Sequence, residues 1–123
     1  MTKPLALIIE DEEMLATIFE QALTMAEYET EVVRDGRLAM DRLASERIPD
    51  VITLDLHLPY VSGEDILDHI RSSERLKKSK VIIATADARM GDFLDKKADL
   101  VLIKPIRFSQ IRDLASRLNP NRR

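Results

Sequence analysis

Five short aliphatic runs, each followed by a segment of helical character, constrain the fold of this chain more than any other feature. The runs are Leu5 to Ile9, Glu31 to Val33, Val51 to Leu54, Val81 to Ala84 and Leu100 to Ile103. Leu5-Ala6-Leu7-Ile8-Ile9 and Val51-Ile52-Thr53-Leu54 lack polar alternation, the mark of strands buried on both faces of a parallel sheet. Between the runs, apolar residues recur at the interval of an amphipathic helix. They are Leu15, Ile18, Phe19, Ala22 and Leu23; Leu38, Met40 and Leu43 after Gly36; Ile66, Leu67 and Ile70; and Ile111, Leu114, Ala115 and Leu118. Ala88 to Lys96 is the weakest segment, because Gly91 interrupts it and only Met90, Phe93 and Leu94 are large and apolar. Strand and helix alternating in this way predict an α/β fold, a doubly wound five-stranded parallel sheet with helices on both faces. With 123 residues, the expectation is a single domain over 1–123, its last residues 119–123 a frayed tail.

Composition removes several classes of function. The chain has no cysteine, which excludes disulfides, thiolate metal sites and cysteine nucleophiles. Its net charge of −3 gives no reason to expect direct nucleic-acid binding. No apolar run approaches the ~20 residues that span a bilayer, and Met1-Thr2-Lys3-Pro4 does not resemble a signal peptide. No membrane association is expected, and the default location is cytoplasmic.

Ligands of open α/β sheets bind beyond the carboxyl ends of the strands, and there the sequence places its reactive residues. The first strand runs into Glu10-Asp11-Glu12, the third into Asp55, the fourth into Thr85-Ala86-Asp87 and the fifth into Lys104-Pro105. Hard oxygen ligands from Asp11 and Asp55, completed by water, suit Mg²⁺. A carboxylate attacking a phosphoryl donor approaches an anion. Mg²⁺ and Lys104 would offset that repulsion while the Thr85 hydroxyl donates to a phosphoryl oxygen. Attack by an aspartate gives an acyl phosphate, which adds roughly −1.5 to −2 charges. Drawing Thr85 and Lys104 toward that charge would shift the helix and strand beyond them, which makes a switch.

Four motifs carry a family resemblance over nearly the whole chain: Leu7-Ile8-Ile9-Glu10-Asp11-Glu12, Asp55-Leu56-His57-Leu58-Pro59-Tyr60-Val61-Ser62-Gly63, Ala84-Thr85-Ala86 and Ile103-Lys104-Pro105. In this order, each at a strand end, they resemble the response-regulator receiver domain of two-component signalling. The resemblance implies a flavodoxin-like sheet of strand order 2-1-3-4-5. It implies Asp55 as phospho-acceptor, Asp11 as direct Mg²⁺ ligand, Glu10 acting through water and the His57 backbone carbonyl as a further ligand. It also implies Thr85 and Lys104 as phosphoryl contacts and a cis bond before Pro105. The expected donor is a histidine kinase or histidine phosphotransfer protein, and the expected chemistry is self-phosphorylation and self-dephosphorylation without turnover of external substrates. His57 and Asp87, each two residues beyond a site residue, are candidate modulators of acyl-phosphate lifetime. His69 reads as a surface residue.

Three departures from that family bear on output. The position three before the lysine, usually an aromatic whose rotamer reports phosphorylation, is Val101. The spacing from Thr85 to Lys104 is about one helical turn short of the family's usual length, and Lys96-Lys97-Ala98-Asp99 replaces the usual small-residue turn. The chain ends after its fifth helical segment, so output is expected through an unknown downstream protein, the chain acting as a monomer or weak homodimer. A phosphorylation-independent adaptor on the same fold is the main alternative; against it, an adaptor has no need of a cluster of like charges. A small Mg²⁺-dependent phosphatase with an aspartate nucleophile is a third reading, disfavoured because His57 stands where such an enzyme usually carries a second acid.

Overall fold

The computed structural model describes residues 2–122. Five strands and five helices alternate: β1 (Leu5–Ile9), α1 (Glu13–Met25), β2 (Glu29–Val33), α2 (Gly36–Leu43), β3 (Val51–Asp55), α3 (Gly63–Ser72), β4 (Lys80–Thr85), α4 (Ala88–Leu94), β5 (Leu100–Ile103) and α5 (Phe108–Leu118). All pairings are parallel and the sheet order is β2-β1-β3-β4-β5, as the resemblance implies. Every residue of β1 and β3 is buried.

Because successive strand residues point to opposite faces, β1 divides its side chains between two cores. Ala6 and Ile8 pack with Leu15, Phe19 and Leu23 of α1 and Ile111 and Ala115 of α5. Leu7 and Ile9 pack with Ala39 and Leu43 of α2, Ile66 and Ile70 of α3 and Leu94 of α4. The α1–α5 side is fixed by Tyr28, 1% exposed, whose hydroxyl donates to the Ala115 carbonyl at 2.8 Å. Tyr28→Phe keeps the ring and strands that carbonyl near the end of α5, so denaturant titration should show a loss of about 1 kcal/mol.

The structure corrects several details. β2 begins at Glu29, two residues before the expected Glu31, because Glu29 and Thr30 pair through their backbones with Leu5 and Ala6. Helix α2 buries Gly36, Ala39 and Leu43, while Leu38 is 49% exposed. Gly36 sets that rotation: a Cβ there would come within 2.3 Å of the Val61 carbonyl oxygen, so the helix must turn this position toward the loop after β3. After α5, in the segment expected as a frayed tail, two asparagine side chains make hydrogen bonds back to the body of the chain. Asn119 Nδ2 donates to the Ala26 carbonyl at 2.9 Å and Asn121 Nδ2 to the Thr2 carbonyl at 3.0 Å. Arg123, the end of the expected tail, and Met1 lie outside the described residues. Among the described residues, no helix is long and apolar enough to cross a membrane.

Candidate functional site

Since all five strands run the same way, their carboxyl ends share one edge, and the sequence-predicted residues gather there. Asp55 is the last residue of β3 and is 2% exposed; Glu10, directly after β1, is 1% exposed. Asp11 is exposed beside them. Glu10, Asp11 and Asp55 each offer a carboxylate oxygen, all within 4.8 Å of one another. Lys104, following β5, reaches in with Nζ at 3.5 Å from Asp55 Oδ1 and 3.6 Å from Glu10 Oε1. Thr85, fully buried at the end of β4, accepts from the Asp87 amide through Oγ1 at 3.0 Å, and its carbonyl accepts from the Lys104 amide at 2.8 Å. The Lys104–Pro105 bond is cis.

The two candidate lifetime residues sit differently. The His57 amide donates to Asp55 Oδ1 at 3.1 Å, while the residue itself is exposed. Asp87 caps α4, its Oδ1 accepting from the amides of Arg89 and Met90 at 3.0 and 3.2 Å, a use of Asn/Asp side chains common at helix starts. His69 is exposed on α3, as expected.

Three supports were not foreseen from sequence. Gly63 opens α3 against the acceptor strand itself: a Cβ there would lie 2.4 Å from the Asp55 carbonyl oxygen and 2.5 Å from Leu56 Cα. From the sequence, Gly63 reads as a residue that shapes the loop and the start of the helix, with no sign of this close approach to the acceptor strand. Arg34 Nη2 donates to the Asp11 carbonyl at 2.7 Å, holding the acidic loop; nothing in the sequence signals this. Gly91, which reads in the sequence as an interruption of the fourth helix, lies inside it and lets it close on β5. A Cβ at Gly91 would stand 2.9 Å from Val101 Cγ1, 3.2 Å from Ile103 Cδ1 and 3.6 Å from Thr85 Cγ2.

The pocket concentrates negative charge. Burial, and then the neighbouring Asp55 charge, push Glu10 up to about 7. Burial likewise raises Asp55 above its usual range. Glu10 Oε1 is buried without a hydrogen-bond partner. Three carboxylates beside one ammonium, with one oxygen orphaned, fit a hard divalent cation that takes oxygen ligands and keeps several waters. Asp11, Asp55 and Glu10 are the side chains that would hold it.

A pH dependence follows from Glu10. Its carboxyl binds a proton more tightly in the folded chain than at its ordinary value of 4.5. The resulting stability is complete below that ordinary value and is lost as pH rises through about 7. In chelator, the chain should therefore lose stability between pH 5 and pH 8, by about 3 kcal/mol at most from Glu10, with Asp55 acting in the same direction. Thermal melts at both pH values check this, and Mg²⁺ should restore part of the loss at pH 8. A flat or rising profile without metal would contradict it.

Sheet and pocket together define the class of doubly wound α/β domains that work at the carboxyl edge of their strands. Within that class, the chain belongs to the response regulator receiver domain family, whose model matches residues 6–116. It is 39% identical over 92 residues to the polar-differentiation response regulator DivK of Brucella ovis, covering 75% of this chain and 73% of that one. The signal receiver domain of a putative LuxO repressor protein from Vibrio parahaemolyticus superposes with TM-score 0.84 at 31% identity, covering 95% of this chain and 90% of that chain. The receiver domain of the sensor histidine kinase PA1611 from Pseudomonas aeruginosa PAO1 gives TM-score 0.82 at 27% identity, covering 95% and 98%. That structure has a magnesium ion coordinated in its active-site cleft.

Proposed function

We propose that the chain is a phosphorylation-dependent switch in which Asp55 accepts a phosphoryl group from a histidine kinase or histidine phosphotransfer protein. The observation that carries this reading is the buried Asp55 carboxylate at the strand end, 3.5 Å from Lys104 Nζ and grouped with Glu10 and Asp11. An Asp55 oxygen bonds to phosphorus as the bond from phosphorus to the donor breaks, and the leaving group departs with the donor. Bound Mg²⁺ would supply positive charge against the phosphoryl oxygens. The chain's own contributions are separable: Lys104 brings a cation to the same oxygens, the Thr85 hydroxyl donates to one of them, and the His57 amide orients the acceptor. Turnover of external substrates is not part of this function, since the phosphoryl group ends on the protein itself.

The route outward runs through α4. Thr85, Val101 and Ile103 all border Gly91, so drawing Thr85 toward the phosphoryl group moves the surface against which α4 is seated. Val101 takes part by packing, in place of a rotating aromatic ring. Phe93 on α4 is 74% exposed and Ile103 on β5 is 41% exposed, apolar surface that a downstream protein can cover when α4, β5 and α5 rearrange. The test is beryllofluoride, a stable mimic of an aspartyl phosphoryl group, added with Mg²⁺ while amide resonances are followed. Shifts extending to Gly91, Phe93 and Val101, and absent from Asp55→Asn, support the switch. Shifts confined to the loops around Asp55 favour the phosphorylation-independent adaptor.

A further inference from the structure

At the opposite end of the sheet, the Lys96-Lys97-Ala98-Asp99 turn meets a second lysine-rich segment, Lys77-Lys78-Ser79-Lys80. β4 begins at Lys80 and β5 at Leu100, and their parallel register pairs Ile82 with Leu100, which places the two entry turns side by side. They enclose a cleft of about 510 Å³ lined by Arg71, Lys77, Lys78, Lys80, Lys96 and Lys97, with Asp99 as its single acid. The whole chain carries a net charge of −3, so this is a marked segregation of positive charge.

The cleft is built around Arg71, four of whose five guanidinium N–H donors are engaged within the frame. Nε donates to the Lys97 carbonyl at 2.6 Å, Nη1 to the carbonyls of Lys77 and Ser79 at 3.0 Å, and Nη2 to Asp99 Oδ2 at 2.9 Å. Asp99 Oδ2 also accepts from the Val81 amide at 2.7 Å, and Ser79 Oγ donates to the Pro49 carbonyl at 2.7 Å. The two lysine segments are thus held at a fixed separation, and the one acid is occupied. Lys78 and Lys96 have no ion pair among the described residues. Lys77 pairs with Glu74 and Lys97 with Asp68 on the exposed surface, where such pairs contribute little and exchange readily.

We propose that this cleft binds an acidic peptide segment of a partner protein. The free donors are ammonium groups on flexible stems, suited to carboxylates spread along a chain; the planar fork that grips a single phosphate is committed to the frame. No aromatic side chain lines the cleft to stack a base, and no large apolar side chain lines it to enter a membrane. Asp55, Thr85 and Lys104 lie at the other edge of the sheet, so occupancy of the cleft leaves the phosphorylation site open.

The experiment is fluorescence anisotropy of a labelled Glu-rich peptide titrated with the full chain. The chain is compared with Lys78→Glu/Lys96→Glu, with Arg112→Glu/Arg117→Glu on α5 as a charge-matched control, and with Asp55→Asn. Expected is saturable binding that weakens with salt, falls about tenfold or more in the cleft variant, and persists in the control and in Asp55→Asn. The last comparison separates this proposal from the phosphorylation reading. No saturable binding, an equal loss in the α5 control, or tighter binding of an oligonucleotide, inorganic polyphosphate or anionic vesicles would overturn it. Circular dichroism of each variant confirms that a loss is not unfolding.

Discussion

Asp11→Asn is expected to leave the fold intact while weakening Mg²⁺ binding at least about a hundredfold, since even changes behind a metal ligand cost 10–100-fold. The side chain is exposed, and the contact that anchors its loop, from Arg34, is made to the backbone carbonyl. Removing the charge therefore breaks no packing, and the melting temperature without metal should stay unchanged or rise slightly as repulsion in the acidic group falls. Phosphorylation by a small donor should slow by about two to three orders of magnitude, the usual cost of losing one electrostatic stabiliser of a charged transition state. Calorimetric titration with Mg²⁺ and the rate of mass gain measure the two effects separately. An affinity within a few-fold of the parent would remove Asp11 from the ligand set.

Gly63→Ala should damage the same site by a different physical route. The added Cβ would meet the Asp55 carbonyl oxygen at 2.4 Å and Leu56 Cα at 2.5 Å, both backbone atoms of the segment that presents the acceptor. No side chain can swing aside to make room. Either α3 lifts from β3, opening the contacts of Ile66, Leu67 and Ile70 with the core, or β3 moves and carries Asp55 with it. Overpacking against backbone belongs at the upper end of the usual range, about 3 kcal/mol. That outweighs the gain of about 1 kcal/mol from replacing a helical glycine. A urea midpoint close to that of the parent would show that the approach is looser than described.

Much of this architecture can be read from the chain because two central strands are buried on both faces. Burial on both faces keeps β1 aliphatic throughout and β3 aliphatic except for Thr53 and the terminal Asp55, so Leu5–Ile9 and Val51–Leu54 announce themselves. The acids, threonine and lysine at the strand ends stand out against those runs, and parallel pairing then brings them to one edge. The features that were not legible depend on backbone and close approach. The start of β2 is set by ladder pairing of the polar Glu29 and Thr30 at a sheet edge, where hydrophobicity carries no signal. The inward face of α2 follows Gly36, which contributes no side chain to any periodicity. Gly91 reads as a helix breaker until its lack of a Cβ is seen to seat α4 against Val101. The wedge between Gly63 and Asp55 is likewise an absence of atoms, invisible in a hydrophobic pattern.

These features separate charge between the two ends of one sheet. The carboxyl edge concentrates negative charge around Asp55, and the opposite edge concentrates lysines around Arg71. Short packing contacts through Gly63 and Gly91 connect the acceptor strand and Thr85 to α3 and α4. On the two proposals, phosphorylation chemistry and acidic-peptide binding would be carried by different side chains.

The central claim is tested most directly by intact mass after treatment with a small phosphodonor, with and without Mg²⁺, for the parent chain and Asp55→Asn. The account expects the parent to gain one phosphoryl group in the presence of Mg²⁺, with the mutant unlabelled. A parent chain that stays unmodified with every donor, or an Asp55→Asn chain that still gains the mass, would contradict it.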